Sequence, residues 1–117
     1  KIGLVLQPMS RAEILRRYLW ENGFTVAGET LSRADRIYQT LHARYTGVAE
    51  SFDAAEALVG RDAFLLASPL AGDFLRGRIA VLERVAAGKR AGGAGTEPED
   101  ALIEALREKI RLAEDRT

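Results

Sequence analysis

The chain has 117 residues, seventeen Lys and Arg against seventeen Asp and Glu, and an apolar share of 47%. Zero net charge argues against a uniformly basic nucleic-acid binder, the lack of cysteine rules out disulfides and thiolate metal sites, and a single histidine makes a side-chain zinc site implausible. No apolar run approaches the ~20 residues that span a bilayer and no signal-peptide pattern opens the chain, so a membrane is not expected and a reducing, cytoplasmic setting is.

Charge is unevenly spread. Residues 1–48 hold seven basic against four acidic side chains, and residues 49–117 hold ten against thirteen, so the first part carries +3 and the second −3. A basic face on the first part is compatible with RNA contact.

The apolar run at residues 2–6 is too short for a buried helix and lacks polar alternation, which predicts a central strand with both faces covered, as in parallel α/β sheets. Pro8 has no N–H for a sheet ladder and biases Gln7 towards an extended backbone, so the strand ends there. Ser10-Arg11-Ala12-Glu13 has capping-box spacing and predicts a helix start. The chain opens with Lys1 inside this strand pattern, which points to sequence preceding it.

Ile14, Leu15, Tyr18 and Leu19 recur at helical spacing, with Arg11, Arg16, Arg17 and Glu21 on the other side, and Asn22-Gly23 supplies the stop. Trp20 is expected to cover the sheet edge. Residues 24–31 read as a second strand with Phe24, Val26 and Leu31 inward, residues 32–35 as a turn, and residues 36–45 as a strictly alternating third strand. A helix between the first two strands makes them parallel, and a short turn between the last two makes them an antiparallel hairpin. His42, on the polar side of the third strand, is read as solvated.

Beyond Thr46-Gly47-Val48 the pattern becomes helical. Ser51 or Asp53 caps a short helix that Gly60 stops. Ser68 and Pro69 predict the start of a long helix with the stripe Leu75, Ile79, Leu82 and Ala86, broken by residues 88–95. Pro98 opens a last helix whose stripe is Leu102, Leu106, Ile110 and Ala113. The two stripes are expected to face each other in an antiparallel helical hairpin. The hairpin's apolar surface is marginal against its ordering entropy, so it is expected to lean on the sheet part, a partner or a dimer mate.

None of the G-x-G-x-x-G, P-loop, H-E-x-x-H or G-x-S-x-G motifs occurs. Gly92-Gly93-Ala94-Gly95 follows one helix and precedes another, so it lacks the strand context of a phosphate cradle. Glu99-Asp100 and Glu114-Asp115 sit at helix ends and are read as solvated or dipole-compensating.

Four stretches together resemble a known family: Leu4-Val5-Leu6-Gln7-Pro8, Ile14-Leu15-Arg16-Arg17-Tyr18-Leu19-Trp20-Glu21-Asn22-Gly23-Phe24, Glu29-Thr30-Leu31 and Arg36-Ile37-Tyr38-Gln39. They are similar to the latter part of the bacterial tRNA (adenine-22-N1)-methyltransferases, where an L-I-L-Q-P strand is followed by L-R-x-x-L-x-x-x-G-F, then E-x-L and K/R-I-Y-E/Q. The match covers about the first 45 residues well and the rest in pattern only.

The resemblance implies the C-terminal part of a Rossmann-like class I methyltransferase sheet at 1–48, its last strand inserted antiparallel, and a helical, coiled-coil-like C-terminal domain at 49–117. It implies methyl transfer from S-adenosylmethionine to N1 of an adenine in tRNA, in the cytoplasm and without a metal. The cofactor-binding motifs of that family would precede residue 1, so this span alone is expected to be inactive, with no catalytic residue assigned. Gln7, Pro8 and Met9 would lie near the target-base pocket. The RNA-contact candidates are Arg11, Arg16, Arg17, Arg33, Arg36 and Arg44, with Lys89 and Arg90 at the hairpin tip. Expected partners are tRNA and either a second copy or an N-terminal cofactor-binding portion of the same protein. The alternatives are a non-enzymatic helical interaction module with a remnant sheet, and a class I methyltransferase with another substrate.

Overall fold

The computed structural model describes residues 3–8 and 11–115. The chain divides into two compact units, residues 1–70 and 71–117. The first unit therefore extends past residue 48, where the sequence alone suggested a boundary, because the short helices that follow the sheet pack within that unit.

Three strands form the sheet: β1 (Gly3–Leu6), β2 (Phe24–Arg33) and β3 (Ile37–Tyr45), in the order β1-β3-β2. β3 runs antiparallel to both neighbours, which leaves β1 and β2 parallel to each other. Helix α1 (Ala12–Glu21) makes the crossover between those two parallel strands. Short helices α2 (Ala54–Val59) and α3 (Asp62–Leu65) pack on α1 and β2 respectively. Asp53 caps α2 in a capping box with Glu56, the two backbone-to-carboxylate bonds measuring 2.7 and 3.0 Å.

The core of this unit joins Leu19 and Trp20 of α1 to Val26, Leu41, Ala43 and Ala57, with Leu6, Leu15, Phe24 and Phe52 packed around it. Facing pairs in an antiparallel ladder share a side, so Leu4 and Leu6, opposite Ala43 and Leu41, lie on the α1 face. Val5, opposite His42, lies on the other.

Four sequence expectations are corrected here. Among the described residues β1 is an edge strand paired only with β3, and Val5 is 69% exposed, so the apolar run does not have both faces covered. The N-cap of α1 is Arg11, in a left-handed conformation (φ 60°) and without a side-chain cap bond. Ser10 lies outside the described residues, and Glu13 pairs instead with Arg17 at 3.2 Å. The buried face of α1 holds Ala12, Arg16, Leu19 and Trp20, whereas Ile14 and Tyr18 are more than half exposed. The helix is turned so that the largest apolar ring and one partnered guanidinium go inward.

The fourth correction concerns β2. A bulge at Ala27, between the pairs Val26↔Ala43 and Gly28↔His42, shifts the alternation by one residue. Val26, Glu29 and Leu31 then share the α1 face, which strict alternation forbids. The strand runs on to Arg33 and the turn is Ala34, Asp35 and Arg36, closed by the Ala34 N–H donating to Arg36 O at 2.8 Å.

The second unit is the pair α4 (Ala71–Ala91) and α5 (Glu97–Asp115). They are antiparallel, as three cross-helix ion pairs require: Arg76–Glu114 at 2.8 Å, Glu83–Arg107 at 3.1 Å and Lys89–Glu99 at 2.6 Å. Phe74, Leu75, Ile79 and Ala86 meet Ile103 and Leu106 as its buried residues. Ser68 and Pro69 do not start α4. Ser68 Oγ accepts from the Leu70 N–H at 3.1 Å in a local turn, and the helix begins at Ala71. Gly88 lies inside α4, and the break comes at residues 92–95, where Gly93 takes a positive φ of 79°.

Candidate functional site

Arg16 was expected to project from α1 as an RNA contact. It is 1% exposed. Its Nε donates to Glu29 Oε2 at 3.0 Å, and its Nη2 to Glu29 Oε1 at 2.6 Å and Gln39 Oε1 at 2.7 Å. Its Nη1 donates to the carbonyls of Ala57 and Leu58 at 3.1 and 3.0 Å, the C-terminal end of α2. One guanidinium thus ties α1, β2, β3 and α2 together, and a bidentate carboxylate offsets the desolvation of its charge. An unfolding event would be needed to offer it to a phosphate, so Arg16 leaves the RNA-contact set.

The bulge at Ala27 makes this possible, because it brings Glu29 onto the α1 face. Gly60, with φ 94°, closes the site from behind: a Cβ there would stand 2.9 Å from both Glu29 carboxylate oxygens.

A second cluster was not foreseen from the sequence. Arg61 lies 4.4 Å over the Trp20 ring, Trp20 lies 5.2 Å from Phe52, and Arg17 lies 5.3 Å over Phe52. These alternating cations and rings pin the connection after β3 onto α1, and Arg61 also pairs with Glu50 at 3.3 Å and Glu56 at 2.9 Å. Both faces of Trp20 are occupied and its side chain is buried, so it covers the sheet as expected and offers no stacking surface.

The remaining cationic candidates fall into two groups. Arg17, Arg36, Lys89 and Arg90 are engaged: Arg17 with Glu13 and Phe52, Arg36 over the Tyr38 ring at 5.3 Å, Lys89 with Glu99, and Arg90 with Asp100 at 3.0 Å. The Lys89 ammonium holds the Glu99 carboxyl below its ordinary value, as the Tyr38 hydroxyl does for Asp35 by donating at 2.7 Å. Arg33 is exposed at the end of β2 and has a partner of its own. Arg11 and Arg44 are exposed and have no ion-pair partner among the described residues. Arg84 of α4 joins them, whereas Arg78 is half-buried, its Nε enclosed and without a hydrogen-bond partner; the sequence reading singled out neither. Neither has an acidic residue three or four positions away, which was the available signal.

At the end of β1, Gln7 is exposed and Pro8 half-buried. The Gln7 Nε2 donates to Thr40 Oγ1 at 3.4 Å across the β1–β3 ladder. Met9 lies outside the described residues. His42 is exposed, as expected of a solvated residue. Among the described residues no group of three His, Cys, Asp or Glu side chains could hold a metal ion, and no helix is long and apolar enough to cross a membrane. In the helical pair an open groove of about 360 Å³ is lined by Glu83, Ala86, Arg90, Asp100, Ile103, Glu104 and Arg107. Four of its seven charged or apolar positions already serve the cross-helix pairs.

No protein-family model matches the chain, and no curated protein matches it. Solved structures do. Streptococcus pneumoniae Sp1610, described as a candidate tRNA (m1A22) methyltransferase and solved with S-adenosyl-L-methionine, matches 92% of this chain and 47% of its own, with a TM-score of 0.69 and 22% identity. TrmK from M. capricolum, solved with S-adenosyl-homocysteine, matches 95% of this chain and 50% of its own, with a TM-score of 0.71 and 13% identity. The B. subtilis m1A22 tRNA methyltransferase TrmK matches 97% and 50%, with a TM-score of 0.60 and 20% identity. The chain has the fold of about half of these methyltransferases. It is α/β, with an antiparallel strand inserted between two parallel ones and helices following, and it spans about half the length of the structures it matches.

Proposed function

We propose that this chain is the C-terminal portion of a cytoplasmic, S-adenosylmethionine-dependent methyltransferase that acts on N1 of an adenine in tRNA. One observation carries the reading. The β1-β3-β2 order, its crossover helix and the following helices match about half of the tRNA (m1A22) methyltransferases across 92–97% of this chain. The Gln7-Pro8 strand end and the Glu21-Asn22-Gly23-Phe24 helix end, read from sequence, support the same family.

In this reading the residues that hold the cofactor lie outside 1–117. The sequence of residues 7–11, which follows β1, has no glycine to bring backbone close to a ligand, and the glycine-rich segment 92–95 joins two helices. The cofactor supplies the methyl group. Adenine N1 carries a lone pair and no proton at neutral pH, so no general base would be needed to make it an acceptor of that methyl group. The protein then has to orient the base and exclude water rather than move a proton.

The exposed, unpaired cations Arg11, Arg44 and Arg84 are proposed as tRNA phosphate contacts, and residues 71–117 as the coiled-coil-like appendage. The test is methyl transfer from labelled S-adenosylmethionine to tRNA by the full-length protein, with the product mapped by reverse-transcription arrest. Label at a single adenine is the expected result. No transfer to any tRNA would overturn the reading, and binding of a protein partner in its place would favour an interaction module.

A further inference from the structure

We propose that one flank of the α4–α5 pair is a docking surface for a second copy of this chain, related by a two-fold axis that sets Arg78 of each copy against Glu99 of the other.

The two flanks of the helical pair differ in kind. Arg76–Glu114, Glu83–Arg107 and Arg90–Asp100 recur at seven-residue intervals on both helices, so all three cross-helix ion pairs stand on one flank. Two residues further along either helix, the side chain has swung about 200° round and lies on the other flank. There α4 carries Arg78 and Val85 with Val81 beside them, and α5 carries Leu102 and Lys109 with Ala105 and Leu112. No carboxylate occupies any of these positions, and Val85 and Leu112 are 43% and 39% exposed. A hairpin complete at its own seam would carry charge on both flanks, as this one does on the first.

Two polar groups bracket that apolar strip, each with an atom left over. The Nε of Arg78 is enclosed without an acceptor, and the guanidinium has no ion-pair partner among the described residues. Glu99 gives one oxygen to Lys89 across the seam at 2.6 Å, and its Oε1 is enclosed without a donor. That pairing puts Glu99 level with Lys89 of α4, about 16 Å along the helices from Arg78. The midpoint falls between Val81 and Val85, where the register of the ion pairs also brings Leu102 and Ala105. A two-fold axis through this point, lying in the plane of the strip and across the helices, stacks the apolar centres of two copies. It also brings each Arg78 level with Glu99 of the other copy, so the strip is complementary to itself, as a closed dimer requires.

The area agrees with this occupant. Helices of 21 and 19 residues lying side by side offer a face of about 30 by 20 Å, or about 600 Å² from each copy. About 1,200 Å² in total is the lower edge of a stable interface. Dimer and monomer should therefore exchange at micromolar concentrations.

The test is sedimentation equilibrium of the full-length protein over the micromolar range. Wild type is expected to distribute between monomer and dimer, and Val85→Glu to leave only monomer. Arg78→Glu and Glu99→Lys should each set like charges against each other at both ends of the strip, and so weaken the dimer about a hundredfold, about tenfold for each of the two contacts. Mixed in equal amounts, the two reversal variants should dimerise as wild type does, because each contact then joins opposite charges. That recovery also shows that both variants are folded. A monomeric wild type, a dimer that survives Val85→Glu, or a mixture that stays monomeric overturns the inference, and none of these results bears on the methyltransferase reading.

Discussion

Arg16 and Glu29, thirteen residues apart, form a 2.6 Å ion pair in which the arginine side chain is 1% and the glutamate side chain 9% exposed. A buried pair of this kind is costly to break on one side only, because the remaining charge is stranded. Arg16→Met is therefore expected to destabilise the first unit by about 3–5 kcal/mol, read as a drop in the denaturation midpoint. A variant as stable as wild type would show that the pair contributes nothing.

Gly60 faces the same carboxylate with a φ of 94°. Gly60→Ala combines left-handed strain with a Cβ 2.9 Å from the Glu29 oxygens. A loss of about 1–3 kcal/mol is expected in chemical denaturation, and an unchanged midpoint would mean that Glu29 moves aside freely.

Trp20 is the only tryptophan, so its emission reports on the stack. Phe52→Ala removes one face of its packing and should shift the emission to the red, with a stability loss of about 2–4 kcal/mol. Arg61→Ala should cost less, about 1–2 kcal/mol, since it removes a cation–ring contact and two half-exposed ion pairs. Equal losses for the two variants would contradict this ranking.

Glu99 is held below its ordinary value of 4.5, first by its hydrogen bond to Lys89. A depressed carboxyl stabilises the folded helical pair above its unfolded value, and the contribution disappears as pH falls through the folded value. The stability of the α4–α5 pair should accordingly decline below pH 4.5. Lys89→Met should move the Glu99 titration, followed by NMR, back up towards 4.5. An unmoved titration would assign the depression to another cause.

The division between engaged and unengaged cations sets the expected RNA response. Arg44→Ala and Arg84→Ala should each lower the slope of log affinity against log salt by about 0.7–0.9. Lys89→Ala should change it less, because Glu99 already neutralises that ammonium at 2.6 Å. The opposite order would place the RNA on the hairpin tip.

The alternation of residues 36–45 and the Asn22-Gly23 stop located β3 and the end of α1, and crossover logic then required β3 to oppose both neighbours. The matching stripes of the last two helices identified the antiparallel pair. Arg16 was misread because helical periodicity treats every arginine as solvated. The carboxylate that buries it arrives through a bulge, and Ala27 carries no residue-type signal for one. Ile14 and Tyr18 were assigned inward for the same reason, since polarity alone could not show that Trp20 and Arg16 had taken the inner face. Gln7 was legible as a strand end, but its bond to Thr40 depends on a register that only the folded ladder supplies.

The most direct test of the central claim is the 1-methyladenosine content of tRNA, measured by nucleoside mass spectrometry, from cells with and without the gene that carries this chain. Loss of the modified nucleoside at one tRNA position on deletion, and its return with the full-length wild-type gene, is the result expected here. An unchanged 1-methyladenosine level would contradict the assignment to tRNA adenine N1 methylation.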